Sequence, residues 1–158
     1  MKKLIVFFLV LVCILSLSAC NNFTQEQNKA YSFHGEHEYF TISNGAYFFD
    51  NGKEVFDGGI LGITQSGVFD EVDSYSTSFY IIKNGVKKNL HAKNVIDLTE
   101  GPSKIEGDLG KVSGNSSFGS FVYGDIKAFR ESLWFELKTT DFDGEENIYQ
   151  IQLTVEQM

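Results

Sequence analysis

An all-β domain, built as an antiparallel β-sandwich or a partly open barrel, is the fold class that this sequence predicts, and three observations indicate it. From Tyr31 onward, Phe, Tyr, Val, Ile and Thr recur in short blocks, and these are residue types that strands favour. Gly, Asn and Asp separate the blocks at intervals of roughly ten residues, as turns between short strands do. Apolar and polar residues alternate in the C-terminal segments, which is the period of a half-buried strand.

The first nineteen residues have the parts of a secretory signal peptide. Lys2 and Lys3 give a basic start, residues 4–15 are an unbroken apolar run, and residues 16–19 are mostly small. A transmembrane helix needs about 20 predominantly apolar residues to cross the hydrocarbon layer, and this run is shorter and ends in serines. We therefore expect residues 1–19 to be cleaved from an exported chain.

The motif Leu17-Ser18-Ala19-Cys20 closes this signal and resembles the lipobox of bacterial lipoproteins. The resemblance covers residues 1–20 and implies that Cys20 is diacylated on sulfur and becomes the first residue of the mature protein. It also implies a lipid-anchored location on the extracytoplasmic side of the cell membrane, because two acyl chains anchor a protein stably to a bilayer. Cys13 lies within the signal, so the mature domain has no pair of cysteines for a disulfide.

The mature chain would consist of a lipidated, flexible tether, residues 20–30, and one extracytoplasmic β-domain, residues 31–158. The full chain holds 13 Lys and Arg against 21 Asp and Glu. Removal of Lys2 and Lys3 leaves 11 against 21, a net charge of −10. This balance argues against nucleic acid as a partner, since such proteins carry a basic footprint.

Within the domain, six strands are predicted before residue 100, at 38–43, 46–50, 54–63, 75–83, 86–90 and 94–98. The dipeptides Asn44-Gly45, Asn51-Gly52 and Asn84-Gly85 stand at junctions between them, and Asn-Gly favours the positive φ angles of hairpin turns. Residues 101–120 are rich in Gly and Ser and contain the single proline. We expect a loop there, with a strand around 105–109 as an alternative for part of it.

Residues 125–131 leave two alternatives open. Asp125 before Ile126 and Phe129 gives the spacing of a short helix with an N-cap, whereas alternate residues from 129 to 135 fit a strand. We favour a short helix or turn, followed by a hairpin of strands 132–140 and 147–155. The inward residues of this hairpin are predicted to be Leu133, Phe135, Leu137, Thr139, Tyr149, Ile151, Leu153 and Val155.

Aromatic residues are abundant, and most are predicted to be in the core. Phe48, Phe49, Phe79 and Phe135 are assigned to it. Trp134 lies between two inward residues and is expected to point outward, which makes it a candidate recognition residue. The alternative is that both faces of its strand are covered.

The motifs of common nucleophiles and phosphate loops are absent from the sequence, so we expect a non-enzymatic protein without a cofactor. The densest group of possible metal ligands is FHGEHEYF, residues 33–40, where His34 and His37 flank Glu36. Imidazole and carboxylate bind zinc or copper, and a metal-binding protein or metal-dependent enzyme built on these residues is one alternative. Acidic groups at 70–73 and 141–146 resemble calcium loops only in part.

The stretch from YSFHGEHEYF to SYSTSFYIIKNG, about residues 31–86, resembles small uncharacterised surface lipoproteins of Gram-positive bacteria, a resemblance that implies no activity. The favoured hypothesis is therefore a membrane-anchored module that binds a protein, a peptide or an envelope component. A second alternative to it is a self-protection lipoprotein that captures cationic peptides, which the acidic charge permits.

Overall fold

Two antiparallel sheets pack against each other in the computed structural model, which describes residues 28–65, 67–98, 104–115 and 122–158. The strands are β1 (Lys29–Glu36), β2 (Phe40–Asp50), β3 (Lys53–Asp57), β4 (Ile60–Ile63), β5 (Val72–Lys83), β6 (Val86–Asp97), β7 (Gly107–Asp108), β8 (Lys111–Asn115), β9 (Leu133–Asp141), β10 (Glu146–Gln152) and β11 (Thr154–Gln157). The helix α1 (Ile126–Ser132) follows a 3-10 turn, Tyr123–Asp125. The predicted all-β class is confirmed. Of the two expected architectures, a sandwich and a partly open barrel, the sheets form the sandwich-like one.

Sheet A has the order β11-β1-β2-β3-β8, with β4 also beside β2 and β7 beside β4, and sheet B has the order β10-β9-β5-β6. Aromatic rings fill the space between the sheets. Phe33 and Phe56 of sheet A lie 5.7 and 5.1 Å from Phe79 of sheet B, measured between ring centroids. Because sequence-distant strands supply these rings, they hold the two sheets together as one core.

The N-terminal boundary of the domain differs from the prediction. β1 begins at Lys29, so Lys29 and Ala30 belong to the sheet and not to the tether, and β1 itself was not predicted as a strand. The remainder of the predicted tether and signal, residues 1–27, lies outside the described residues. Among the residues that are described, no helix has the length and apolar character to cross a membrane.

The predicted turn at Asn44-Gly45 is wrong, because β2 continues through it. Asn44 has a φ of 57°, and the pairing of β1 with β2 shifts register between Phe33 and Gly35. The dipeptide therefore forms an irregularity of the bulge kind, in which one strand bends without ending. Gly45 is needed here because a side chain would overlap the Phe33 ring. The turns at Asn51-Gly52 and Asn84-Gly85 are as predicted, with positive φ at both residues.

Three other boundaries differ for local reasons. The predicted strand 54–63 is divided into β3 and β4 at Gly58-Gly59, where Gly59 has a φ of 74°. The two strands predicted at 86–90 and 94–98 are one continuous strand, β6. Shifts of register in its pairing with β5 accommodate the change in the alternation of apolar and polar residues between them. Most of 105–109 lies outside strands, since β7 has only two residues, whereas β8 forms in the predicted loop by pairing with β3.

The predicted strand 147–155 is correct in its faces but passes from one sheet to the other. Its first part, β10, pairs with β9 in sheet B, and its second part, β11, pairs with β1 in sheet A. Leu153 lies at the junction, where its N–H donates to the Leu133 carbonyl at 2.8 Å. The residues predicted to face inward in strand 132–140 are buried, as are Ile151 and Leu153.

Of the four phenylalanines assigned to the core, Phe49, Phe79 and Phe135 are buried, but Phe48 is 44% exposed. The alternation of inward and outward residues along β2 explains the exposure of Phe48, because its neighbours Tyr47 and Phe49 both point inward. Phe48 therefore lies on the outer face of sheet A.

The predicted helix is confirmed as α1, one residue later than expected. Asp125 stands at its N-cap position without a capping hydrogen bond from its side chain. Phe129 is fully buried, with its ring centroid 6.0 Å from that of Tyr31 and 5.2 Å from that of Tyr47. The helix therefore closes one end of the core.

The sandwich has two ends that the registers define. Lys29 pairs with Phe49 near one end of β2, and Ile63 pairs with Phe40 at the other, about 30 Å apart along an extended strand. The first end carries α1, and we call it the helix end. We call the second the loop end, and its segments are 36–40, 63–65, 67–73, 97–98, 104–106 and 141–145.

Candidate functional site

A cavity of about 630 Å³ opens at the loop end, between the two sheets. Its apolar walls come from turns and strand ends that are distant in sequence, and the apolar side chains are Ile63, Phe69, Val72, Leu98, Ile105 and Phe142. Polar groups on Thr64, Gln65, Asp70, Lys104 and Glu106 stand among them. Ligand pockets typically have volumes of about 300–1,000 Å³, so this cavity has the size of a small-ligand or side-chain site, with a lining that is about half apolar and half polar.

Backbone hydrogen bonds between the segments hold the cavity walls in place. Thr64 N–H donates to the Tyr39 carbonyl at 3.0 Å, and Leu98 N–H donates to the Asp73 carbonyl at 2.8 Å. The Thr64 hydroxyl also donates to the Glu38 carbonyl at 3.0 Å. These bonds connect the end of sheet A to the turn before β2 and the end of β6 to β5. Hydrogen bonds between neighbouring segments therefore hold these walls of the cavity in position.

Charge is distributed very unevenly between the two ends. The segments of the loop end carry ten carboxylates and one lysine, Lys104. The segments 29–30, 50–53, 81–88 and 125–133 of the helix end carry seven basic and three acidic residues. Lys104 itself lies 3.7 Å from Glu106 in an exposed ion pair. The loop end therefore carries an excess of negative charge, although the cavity lining itself holds only Asp70 and Glu106 beside Lys104, and an excess of one sign around a cleft raises the local concentration of the opposite sign.

Trp134 lies on the outer face of sheet B, as predicted, but it is half-buried and not freely exposed. Its ring is nearly parallel to that of Tyr80, with centroids 6.4 Å apart and planes at 11°. The ammonium group of Lys87 stands 4.0 Å from the centroid of the Tyr80 ring, a cation–π arrangement. The structure thus brings Trp134 together with two residues that the sequence analysis did not select.

A small polar network continues from this aromatic pair. Glu136 accepts hydrogen bonds from Lys87 at 2.8 Å and from the Gln150 amide at 2.6 Å. Burial alone would raise the pKa of Glu136, but these hydrogen bonds outweigh it and the pKa is lowered. Burial and the neighbouring Glu136 charge raise the pKa of the Tyr80 hydroxyl. The network fixes Lys87 over the Tyr80 ring.

His34 and His37 lie in different environments. His34 is exposed on β1, opposite Thr154. His37 stacks on Phe40 at 4.7 Å and 12°, and its Nδ1 accepts the Tyr39 N–H at 3.3 Å. This hydrogen bond and the ring contact give His37 a packing role in the turn before β2.

The first carboxylate of the acidic turn between β9 and β10 also has a structural role. Asp141 Oδ1 accepts the N–H groups of Asp143 at 3.0 Å and Glu145 at 2.8 Å. Within the described parts of the chain, no group of three or more His, Cys, Asp or Glu side chains could hold a metal ion. The ligand groups predicted around His34, at 70–73 and at 141–146 are therefore not assembled into a metal site by the described residues.

Cys20, the predicted lipidation residue, lies outside the described residues. The cavity was not predicted, because its walls come from segments that only the pairing of strands brings together. The carboxylates of the loop end are visible in the sequence. Their separation from the basic residues becomes apparent only once it is known which turns lie at the same end of the sandwich. Comparison with family models, with curated proteins and with solved structures found no match to this chain.

Proposed function

We propose that this protein is a lipid-anchored, non-enzymatic binding module on the extracytoplasmic side of the cell membrane. We propose further that the cavity at its loop end takes a cationic ligand with an apolar part. The observation that carries the proposal is the position of the cavity. It opens about 30 Å along β2 from Lys29, where the chain that leads back to Cys20 enters the sandwich. An anchor at Cys20 would leave the cavity facing away from the bilayer.

The lining and the charge of the loop end favour one class of ligand. Phe69, Ile105 and Phe142 offer apolar contact inside the cavity, and burial of apolar surface contributes about 25 cal/mol per Å². The ten surrounding carboxylates would attract positive charge to its mouth. A cationic amphipathic peptide combines the two properties, and its capture near the membrane would protect the cell that carries the lipoprotein.

Replacement of Cys20 tests the anchor. Cells that express Cys20→Ser and the wild type are given a labelled fatty acid and are fractionated. We expect label on the wild type only, and retention of the wild-type protein in the membrane fraction as an acylated species. An unlabelled wild type that still fractionates with the membrane would refute the lipid anchor.

The ligand class is tested with a labelled synthetic peptide of alternating lysine and leucine residues, measured by fluorescence anisotropy. We expect binding that weakens as salt is added, because ions screen exposed charges beyond about 10 Å at 0.1 M. A peptide of the same length with glutamate in place of lysine should bind far more weakly. Equal binding of the two peptides would exclude the charge-based proposal.

Matched variants then locate the site. Asp70→Asn with Glu106→Gln removes two cavity carboxylates, and Asp50→Asn with Glu131→Gln removes two carboxylates at the helix end. We expect the first pair of changes to weaken peptide binding and the second pair to leave it unchanged. Equal losses from both would indicate a general effect of net charge and not a site at the cavity.

A further inference from the structure

The β5–β6 turn at the helix end has a composition unlike the rest of this acidic surface. Its sequence, Ile82-Lys83-Asn84-Gly85-Val86-Lys87-Lys88, places three lysines within six residues. Val86 is 64% exposed and Ile82 is 40% exposed. Membrane-surface segments likewise combine exposed apolar side chains with lysines, as amphipathic interfacial helices do.

The aromatic pair lies directly beside this turn. Ile82 is two residues from Tyr80 on the same face of β5, and it pairs across the sheet with Lys87. Trp134 pairs with Tyr80 on the neighbouring strand. Trp and Tyr are enriched at membrane–water interfaces, where an apolar ring carries a polar edge. Tyr80 itself is only 4% exposed beneath Lys87 and beside Trp134, so we name the four residues Ile82, Val86, Lys87 and Trp134 the hairpin patch.

The turn and the entry of the chain lie at the same end of the molecule. Asp125, at the start of α1, pairs with Lys83 and with Lys88. Further along the seven-residue helix, Arg130 stands 6.0 Å from the Tyr31 ring, two residues from Lys29. A helix of this length spans about 10 Å, so α1 connects the turn and the start of β1 at the same end of the sandwich.

We infer that the hairpin patch docks onto the surface of an anionic lipid bilayer, the same bilayer that holds the anchor in the proposed function. Charge complementarity favours this occupant. Asp125 and Glu136 neutralise part of the lysine charge of the turn, but Lys127 and Arg130 of α1 are exposed beside it, and the helix end keeps a basic surplus. Basic residues near the surface of an anionic membrane are attracted to it.

The anchor and the patch are geometrically compatible. Eight residues lie between Cys20 and Lys29, and the chain from one to the other reaches at most about 30 Å. Contact through the helix end would direct the acidic loop end away from the negative lipid surface, which avoids the repulsion that a flat orientation would cause. The cavity would then be held in a fixed outward orientation and would not depend on the tether for it.

Trp134 is the single tryptophan of the chain, so its fluorescence reports directly on this patch. The acylated protein is reconstituted into vesicles of phosphatidylcholine alone or with phosphatidylglycerol, each containing brominated lipids that quench tryptophan on contact. We expect quenching of Trp134 in the anionic vesicles, with loss of quenching as salt is raised. Equal quenching in both kinds of vesicle, or none in either, overturns the inference.

Two matched variants separate docking from a general effect of apolar residues. Val86→Asp and Phe142→Asp both replace a side chain that is about two-thirds exposed at a turn, 64% and 67%, at opposite ends of the sandwich. We expect Val86→Asp to lose the quenching and Phe142→Asp to keep it. Loss of quenching in both variants would indicate a general effect of an added carboxylate and would also overturn the inference.

Flotation of the vesicles distinguishes this inference from the anchor itself. Protein that floats with vesicles of either lipid composition is anchored, whether or not Trp134 is quenched. Protein that does not float contradicts the proposed anchor. In that case, the protein without an anchor is added to preformed anionic vesicles, and the fluorescence of Trp134 measures its affinity for the membrane surface. Quenching then supports docking through the hairpin patch, and the absence of quenching refutes it.

Discussion

The carboxylate of Asp125 lies 2.6 Å from the ammonium group of Lys88, 37 residues away in sequence, and it also pairs with Lys83. The Asp125 side chain is only 8% exposed. Its two oxygens therefore bind lysines on both sides of the β5–β6 turn, although its position predicts a capping role in α1. The ion pairs connect the helix to sheet B at the end where the chain enters the domain.

Asp125→Asn is expected to lower the free energy of unfolding by about 1–2 kcal/mol, because exposed ion pairs contribute up to about 1 kcal/mol each and this carboxylate is itself buried. Urea unfolding near neutral pH measures the change. Asp50→Asn, an exposed carboxylate of the same end, is the control and should stay within about 0.5 kcal/mol of the wild type. Equal effects of the two changes would mean that the ion pairs contribute nothing specific.

The same pair predicts a dependence on pH. Hydrogen bonds from Lys83 and then from Lys88 hold the pKa of Asp125 below its ordinary value of 3.8. A carboxyl whose pKa is lower in the folded state stabilises the fold above its unfolded pKa, and that contribution is lost as pH falls toward its folded pKa. The stability difference between the wild type and Asp125→Asn should therefore be constant from pH 7 to 5 and shrink below about pH 4. A difference that stays unchanged from pH 5 down to pH 2.5 would contradict the assignment.

The role of Asp125 shows where sequence reasoning reached its limit. Its spacing to Ile126 and Phe129 correctly predicts a helix, because periodicity is a local property. Its side-chain partners could not be predicted, because Lys83 and Lys88 come near only after β5 and β9 pair. The cavity could not be predicted for the same reason, since Ile63 and Phe142 of its lining come together only in the folded chain.

Gly45→Ala is expected to destabilise the domain by about 1–3 kcal/mol or more, the usual cost of overpacking. A Cβ at this position would overlap the buried Phe33 ring, and that ring packs against Phe56 and Phe79 in the centre of the core. Thermal unfolding measures the loss. Gly124→Ala is the matched control, because no heavy atom lies within 4 Å of its added Cβ, and it should unfold at nearly the wild-type temperature.

Asn44-Gly45 also explains why one predicted turn was wrong while two others were correct. All three Asn-Gly pairs place Asn at positive φ, so the dipeptide signals the backbone conformation reliably. Whether that conformation reverses the chain depends on the neighbours. At Asn44, β1 pairs with β2 on both sides of the irregularity, and on the other edge β4 pairs before it and β3 after it, which keeps the strand continuous.

His37→Ala should destabilise the domain by about 1–2 kcal/mol, since it removes a stacked ring contact with Phe40 and the acceptor for the Tyr39 N–H. His34→Ala, on an exposed position, should have little effect. Thermal melts of both variants with added zinc chloride, and with a chelator, complete the test. A melting temperature of the wild type that rises with zinc, and no longer rises in His34→Ala, would favour the metal-binding alternative instead.

The faces of the C-terminal hairpin give the last prediction. Ile151 and Leu137 are 7% and 0% exposed, so Ile151→Asp or Leu137→Asp would bury a carboxylate that has no hydrogen-bonding partner. That costs several kcal/mol, which is comparable with the whole stability of a domain, about 5–15 kcal/mol. Both variants should fail to show a cooperative thermal transition.

The neighbouring residue Gln150 provides the control for these changes. It is exposed, and its amide donates to Glu136, so an aspartate there would add repulsion between carboxylates. Gln150→Ser avoids this and should cost no more than about 1 kcal/mol, the loss of one exposed hydrogen bond. If Gln150→Ser were as damaging as Ile151→Asp, the outer face of sheet B would have to be covered. Trp134 would then be part of a second core and could not face a bilayer.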